Sequence, residues 1–426
     1  MKLDREKLYP WLAILRAKFM GSGRAMLLQE HFGSIQNVLH APVDAIAAVS
    51  GFSREIGQAI HAAAQGQFDR DIDKELSWAE KEGVSILLYS DQGYPPTLRH
   101  IPAPPALLYV KGALRPEDIL AVGIVGSRSA SDGGRRLANK IACELAEAGL
   151  TIVSGLAWGV DASAHKGALR CKQGRTLAVM GNGLKFIYPR EHSLIAEQIV
   201  QRGALVTELF YDVSPQGRNF PPRNRIISGL SLGVLIAEAP ERSGALITAD
   251  YALEQGKEIF ALPGNIERGV SPGTNRLIQE SRATLVTSAE DILRELSDKI
   301  TFYRNELEGK IPKVDLEVPP PILHRKRKGS SKPADASPTA AQPHPADAPV
   351  ASPPAESPPK KKPPSIPMSD EEKSVHDMLT EEAQHIDAIC RKMQWPVSRV
   401  SSALGLLELK GVVERESGMR FRLADR

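Results

Sequence analysis

The sequence predicts an α/β protein whose main domain is a parallel sheet covered by helices on both faces, preceded by an all-helical module and followed by a small helix-and-hairpin module. Three observations carry this expectation. Short β-rich apolar runs alternate with amphipathic stretches from about residue 84 to 296; helical periodicity alone fills the first 65 or so residues; and a proline-rich stretch sets residues 369–426 apart. At 426 residues the chain exceeds the usual size of one core, so several folded units are expected.

The predicted order is a helical domain over 1–65, a sheet domain over 66–300, a linker over 301–368 and a C-terminal domain over 369–426. In the first, short helices break at "MGSGRAM" (20–26) and "VSGFSREI" (49–56). Glycine in a tight hairpin ahead of a new helix is how helix-hairpin-helix modules aim backbone N–H groups at a phosphate. Helical hairpins also need such turns for geometry alone, so phosphate contact and a structural or protein-docking role both stand.

In the second domain the apolar runs are "VSILLY" (84), "ALLYV" (106), "LAVGIVG" (120), "LTIVSG" (150), "TLAVMG" (176), "GALVTEL" (203), "GVLIAEA" (233), "EIFALPG" (258) and "ATLVT" (283). Helical stretches such as "GRRLANKIACELAEAG" and "EHSLIAEQIVQRG" lie between most of them, which makes the domain Rossmann-like. Ligands on such sheets bind at the carboxyl ends of the strands.

Nearly half of the 32 prolines fall within 319–367, together with Ala, Ser and the basic runs "HRKRK" (324–328) and "KKK" (360–362). That composition cannot bury a core and reads as a disordered tether, its charges serving solubility or loose contact with a polyanion. Beyond it, three helical patterns and a hairpin, "GVVERESGMRFRL", outline a winged helix. Its third helix carries only Arg399 and Lys410 at its edges, so a protein-contact role stands beside a DNA-reading one.

Bulk properties narrow the function classes. A net charge of +3 and a pI near 8.6 are too small to impose a polyanion partner, so a basic site must come from clustering. Cys143, Cys171 and Cys390 lie far apart in sequence without metal-ligand spacing, which argues for a reducing compartment and buried, inert thiols. The N-terminus carries charges where a signal peptide needs an apolar core, and no run approaches the length of a membrane span; a cytoplasmic protein is expected, with no membrane partner.

The strand-end loops hold the candidate chemistry. "VGIVGSRSAS" (122–131) enters a turn at Gly126, Ser127, Arg128 and Ser129, where backbone N–H groups, the hydroxyls of Ser127, Ser129 and Ser131, and the Arg128 guanidinium could cradle a phosphate. The acidic residue that a dinucleotide site needs after the second strand is missing, so NAD is disfavoured. Ser154 and Gly155 open a second turn, in which Asp161 caps or ties the loop and His165 follows on the helix. "GNGLKFIYPREH" adds Lys185, Tyr188 and Arg190; "SPQGRNFPPRNRIISGLS" adds Arg218, Phe220, Arg223, Asn224 and Arg225; Ser243 and Gly244 form a further helix start. Cations interleaved with aromatics over several loops suit repeating phosphates with unstacked bases, and so a single strand of nucleic acid rather than a mononucleotide or a duplex.

No catalytic set emerges. P-loop, zincin and nucleophile-elbow motifs are absent, and Glu208 and Glu238 at strand ends read as residues that fix an arginine or cap a helix, with hydrolytic acid or base work as the alternative. Neither cofactor nor metal is expected.

Seven motifs in order, "GIVGSRSAS", "IVSGLAWGVDASAHKGAL", "TLAVMGNGLKFIYPREH", "GALVTELF", "FPPRNRIISGLS", "VLIAEAPERSGALITADYALEQGKEIFALPGNI" and "GTNRLIQE", closely resemble the DNA-processing protein A family (DprA, also called Smf) over about 85–296. The resemblance implies an N-terminal domain of SAM or helix-hairpin-helix type, a C-terminal winged helix, and a non-enzymatic homodimer. Such a protein binds single-stranded DNA without sequence preference and loads the RecA recombinase onto strands otherwise covered by single-strand-binding protein, in natural transformation. It also implies phosphate contact at Gly126, Ser127 and Arg128 and basic loops at 188–190 and 221–225. Two other readings remain: a Rossmann-like nucleotide hydrolase of the lysine-decarboxylase-like group, whose P-G-G-x-G-T stretch is absent here, and a winged-helix regulator.

Overall fold

The computed structural model describes residues 2–266, 269–307 and most of 369–423. The described residues fall into two compact units, one within 1–328 and one within 329–426. The stretch 308–368, where the tether is expected, lies outside the described residues.

The first unit opens with helices α1 (Arg5–Arg16), α2 (Ser22–Phe32), α3 (Ile35–His40), α4 (Val43–Ala47), α5 (Arg54–Ala64) and α6 (Asp69–Glu82). Asp4, Ser34 and Ser53 cap α1, α3 and α5 by accepting from the backbone N–H groups of Lys7, Asn37 and Ile56. Leu12, Leu28, Ile46 and Ile60 are fully buried, and their core runs on without a break into Val84, Leu88 and Tyr109 of the sheet. A buried ion pair fastens the junction. Arg16 donates to Glu75 on α6, Glu75 also accepts from the backbone N–H of Tyr211 at 3.0 Å, and the Arg16 guanidinium lies 4.1 Å from the Phe210 ring centroid.

All nine apolar runs become strands of one sheet: β1 (Val84–Leu88), β2 (Leu107–Gly112), β3 (Ala121–Val125), β4 (Thr151–Ser154), β5 (Thr176–Val179), β6 (Ala204–Thr207), β7 (Gly233–Ile236), β8 (Glu258–Ala261) and β9 (Thr284–Leu285). Their order is β1-β2-β6-β5-β4-β3-β7-β8-β9. β1 pairs antiparallel with β2, and β2 antiparallel with β6, whereas every other pair is parallel. The antiparallel edge departs from the wholly parallel expectation. A parallel pair needs a long crossover, and the β1–β2 connection carries only a four-residue helix, α7 (Pro96–Arg99).

Alternation along the strands divides the helices between the two faces. Val122, Ile124, Ile152 and Leu235 pack with α8 (Asp132–Glu147), α9 (Val160–Arg170) and, further along the chain, Ile292; Val125, Val153, Val234 and Ile236 pack with α11 (Phe220–Gly229) and α12 (Gly244–Glu254). Helix α10 (Ser193–Arg202) buries Ile195 and Ile199 in the core shared with the N-terminal helices. After β3 the chain steps through β4, β5 and β6 to one side, then returns to place β7 on the other. The carboxyl ends of β3 and β7 therefore flank a topological switch point, where such sheets open a crevice. Beyond β8, helices α13 (Pro272–Gln279), α14 (Ala289–Glu295) and α15 (Ser297–Leu307) complete the unit.

The thiols depart from expectation. Cys143 on α8 and Cys171 just after α9 have Sγ atoms 2.9 Å apart, and Glu147 Oε1 lies 3.6 Å from each. Widely spaced in sequence, they meet because α8 and α9 are neighbours, and burial with the adjacent Cys143 pushes the Cys171 thiol up to about 12.

The second unit contains α16 (Asp370–Met378), β10 (Gln384–His385), α17 (Ile386–Met393) and the hairpin β11 (Val413–Glu416) and β12 (Arg420–Leu423), in sheet order β10-β12-β11. Its core includes Val375, Leu379, Ile389, Val413 and Phe421. This is the winged-helix outline, and most of its third helical pattern (397–410) lies outside the described residues.

Gly167 on α9 sets the closest approach of α8 and α9, since a Cβ there would stand 2.2 Å from the Asn139 carbonyl oxygen. Glycine to alanine on an open helix face gains about 1 kcal/mol. Here Gly167→Ala should instead cost about 1–3 kcal/mol by overpacking, read as a lower urea midpoint at unchanged slope.

Candidate functional site

Loops from five strands, β3 to β7, gather at the carboxyl-end edge of the sheet. Gly126 ends β3 under close cover: a Cβ would meet Val160 Cγ2 at 2.5 Å and the Glu238 carbonyl oxygen at 2.8 Å, so only glycine lets the loops approach. The backbone N–H of Ser127 donates to the Glu238 carbonyl at 2.7 Å. The Glu238 carboxylate then accepts from the Ser131 backbone N–H at 2.8 Å and from Ser131 Oγ at 2.5 Å, while Ser131 caps α8 by accepting from Gly134. Buried and doubly engaged, Glu238 fastens the β3 loop to β7. Ser129 donates its own amide to Ser127 Oγ at 3.2 Å. The amides of Ser127, Ser129 and Ser131 are thus committed within the protein, and the loop turns Arg128 and Ser129 outward, Arg128 without a carboxylate in ion-pair range among the described residues.

The Arg128 guanidinium lies 5.4 Å from the ring centroid of Phe220. Phe220 rests on Gly181, where a Cβ would come within 2.6 Å of the ring, and its centroid is 5.7 Å from that of Tyr188. The β3, β5 and β6–α11 loops therefore meet in one aromatic and cationic ridge. Lys185, Arg190 and Arg218 are exposed on the same loops, and Tyr188 is 45% exposed.

Other residues expected at the rim are buried or engaged in contacts within the protein, although Gly244 stays exposed. Arg223 is buried, donating to the carbonyl oxygens of Gly155 at 3.0 Å and of Val179, with Nε on Asn224 Oδ1 at 3.2 Å. Burial pushes its pKa down to about 10, with Arg128 adding to the effect and Asp161 opposing it. Asp161 itself is pushed up by burial against the pull of Arg223 and of the amides of Ala157 and Gly155. Arg225 is held by Glu208 at 2.5 Å, mostly out of solvent, and Ser154 Oγ donates to the Ile124 carbonyl. Asn224 donates to the Gly244 carbonyl, and Ser243 caps α12 through the Ala245 amide, so these three join α11 to the start of α12. The physical reason is common to all: a strand-end loop must satisfy its own polar backbone before it can offer groups to a ligand.

Trp158 is the rim residue that sequence reasoning missed. The β4–α9 loop carries two left-handed residues, Leu156 (φ 57) and Gly159 (φ 76), and it turns Trp158 out to 48% exposure. Beneath it lies His192, edge-on at 4.5 Å and anchored through Nδ1 to the Leu156 carbonyl at 2.8 Å. A single tryptophan between two glycines in a strand-end loop was the available signal.

Chemistry at this edge lacks a free acid or base among these groups. Glu238 is committed to Ser131, Glu208 to Arg225, and Asp161 to buried amides. His165 is fully buried with Nδ1 on Thr176 Oγ1 at 2.7 Å, and that hydroxyl donates onward to the Ile152 carbonyl.

Residues 85–297 match the family model described as DNA recombination-mediator protein A, and residues 351–419 match the DprA winged helix domain. The chain is similar to Protein Smf of Synechocystis sp., 33% identical over 97% of this chain and 98% of that protein, and to DNA processing protein DprA of Bacillus subtilis, 39% identical over 56% and 80%. A solved structure of DNA processing protein A from Streptococcus pneumoniae superposes with a TM-score of 0.58 at 34% identity, covering 69% of this chain and 99% of that one.

His165 gives this site an acid-sensitive support. Burial, followed by the charges of His192 and Arg223, lowers its pKa from 6.5 to about 3. The unfolded chain therefore takes up a proton near 6.5 that the folded chain refuses, and stability present above that value is lost as pH falls toward 3. At about 1.4 kcal/mol per unit, His165→Gln should lose about 2 kcal/mol less than the parent between pH 7.5 and roughly pH 5, measured by urea unfolding. Equal losses would show that His165 is not a buried neutral group.

Proposed function

Because this chain belongs to the DNA recombination-mediator protein A family, we propose that it binds single-stranded DNA without sequence preference along the rim at the carboxyl ends of its parallel strands. The observation that carries this reading is the ridge itself. Arg128 stands over Phe220, Phe220 lies beside Tyr188, and Trp158 projects from a neighbouring loop, so a cation and three rings, two of them exposed, come from four separate loops rather than from one pocket. A mononucleotide needs a single clamp. A flexible strand offers phosphates to guanidinium and ammonium groups at intervals, and its bases stack on whatever ring is nearest, which is tolerant of sequence.

In this reading Arg128, Lys185, Arg190 and Arg218 take phosphates, and Trp158 and Tyr188 take bases. Arg223, Asn224, Arg225, Ser154 and Gly155 support them from below. Bound strands would be shielded and handed to the RecA recombinase, with displacement of single-strand-binding protein, during transformation or recombination; a homodimer in the cytoplasm is the proposed acting form. The described residues hold no helix long and apolar enough to cross a membrane. A binding role is favoured over the hydrolase reading because the two carboxylates that hydrolysis would use are hydrogen-bonded to Ser131 and Arg225.

Fluorescence anisotropy with mixed-sequence single strands tests this. Arg128→Ala should weaken every sequence by a similar factor and reduce the salt slope by about 0.7. Trp158→Ala should cost roughly tenfold, the worth of one stacked base at about 1–3 kcal/mol, with little change in slope. Parent-like binding by both variants, or tighter binding of duplex than of single strands, would remove the rim from consideration.

A further inference from the structure

A second basic surface lies outside the ridge, between α8 and α9. The two helices pack closely at Gly167, and Asn139 bridges them: its amide donates to the Ser163 carbonyl at 3.0 Å and its Oδ1 accepts from Arg170 at 2.9 Å. Above that floor an open groove of about 510 Å³ is lined by Arg135, Arg136 and Lys140 from α8 and by Lys166 and Arg170 from α9. All five cations are exposed or half-exposed. Two carboxylates answer them: Asp132 pairs with Arg135, and Glu144 stands 3.7 Å from Lys140. Arg136 and Lys166 have no ion-pair partner among the described residues, and Arg170 is held by an amide, which leaves its charge uncompensated.

We propose that this groove is a second phosphate-binding track, which takes the stretch of a single strand running beyond the ridge. The inference rests on the reading of the ridge as a single-strand site. Continuity supports it. Helix α8 begins at the loop that presents Arg128, and Arg135 in its first turns donates to the Ala130 carbonyl of that loop, so the first cation of the groove is built onto the last residues of the ridge. Charge and composition specify the occupant. Arg136 with Lys140, and Lys166 with Arg170, are four apart on their helices and form two facing rows about one helical turn long. No aromatic side chain lines the groove, so it offers nothing for bases to stack on and suits a sugar-phosphate backbone with its bases turned to solvent. Arg135 and Arg170 are fixed by backbone and amide hydrogen bonds, leaving Arg136 and Lys166 as the cations free to follow a strand.

The experiment compares oligothymidines of about 6 and about 30 nucleotides, since compact single-strand sites span roughly 4–16. In the full-length protein, Arg136→Gln, Lys166→Gln and Arg170→Gln together should weaken the long strand at least tenfold and lower its salt slope by about 2, at roughly 0.7 for each phosphate no longer neutralised, while the short strand binds as to the parent. Arg128→Ala should weaken both lengths. A triple variant that binds the long strand like the parent, or a parent that gains nothing from length, would overturn the groove and leave the ridge standing; an Arg128→Ala variant indifferent to either length would overturn the ridge. Loss of binding to an acidic peptide with DNA binding intact would assign the groove to a protein partner and so overturn it. Should the triple variant fold poorly by circular dichroism, Lys166→Gln alone should lower the long-strand slope by about 0.7, and an unchanged slope would count against the groove.

Discussion

One buried guanidinium holds the strand-end loops of the sheet together. Arg223 comes off α11 and donates to the carbonyl oxygens that end β4 and β5, lies near the Asp161 carboxylate, and supports Phe220 from below with its guanidinium 5.8 Å from the ring centroid. Burying a charge is costly unless it is hydrogen-bonded and opposed by charge, and here both conditions are met. Three loops are drawn to one point as a result. The ring so held stands 5.4 Å from the exposed Arg128 guanidinium, which has no carboxylate in ion-pair range among the described residues.

Glu238 has the matching role on the other side of the switch point. Its two oxygens hold Ser131, its carbonyl holds Ser127, and the β3 loop between them turns Arg128 and Ser129 to solvent. Charges turned inward therefore orient charges turned outward. A chain with a formal excess of only +3 can still carry locally basic surfaces because charge is unevenly placed: Glu208, Glu238 and Asp118 are engaged in internal contacts, while Arg128, Arg136 and Lys166 stay open to solvent.

Much of this was legible in the chain. The inner runs from β3 to β7 read as strands because a strand buried on both faces must be apolar throughout, whereas the edge strands β1 and β9 are only partly buried. Within 20–26 and 49–56, Gly21 and Gly51 stand just before α2 and α5, while the rest of each stretch runs into the helix. Site residues were harder. "PPRNR" reads as a proline pair followed by two similar cations flanking an asparagine, yet Arg223 is internal and Arg225 is paired with Glu208, because a helix start points successive side chains in different directions. Trp158 escaped notice because its exposure comes from the left-handed turns at Leu156 and Gly159 rather than from composition. The Cys143–Cys171 contact, 28 residues apart, depends wholly on α8 lying beside α9.

By itself the sequence determined the class of fold and the order of its elements, since periodicity and glycine placement are local properties with local causes. Only the tertiary structure decided which cations in those loops meet solvent. That choice follows from the packing of loops from distant strands, where each polar group is either satisfied inside or left outside, and no window of sequence contains both partners.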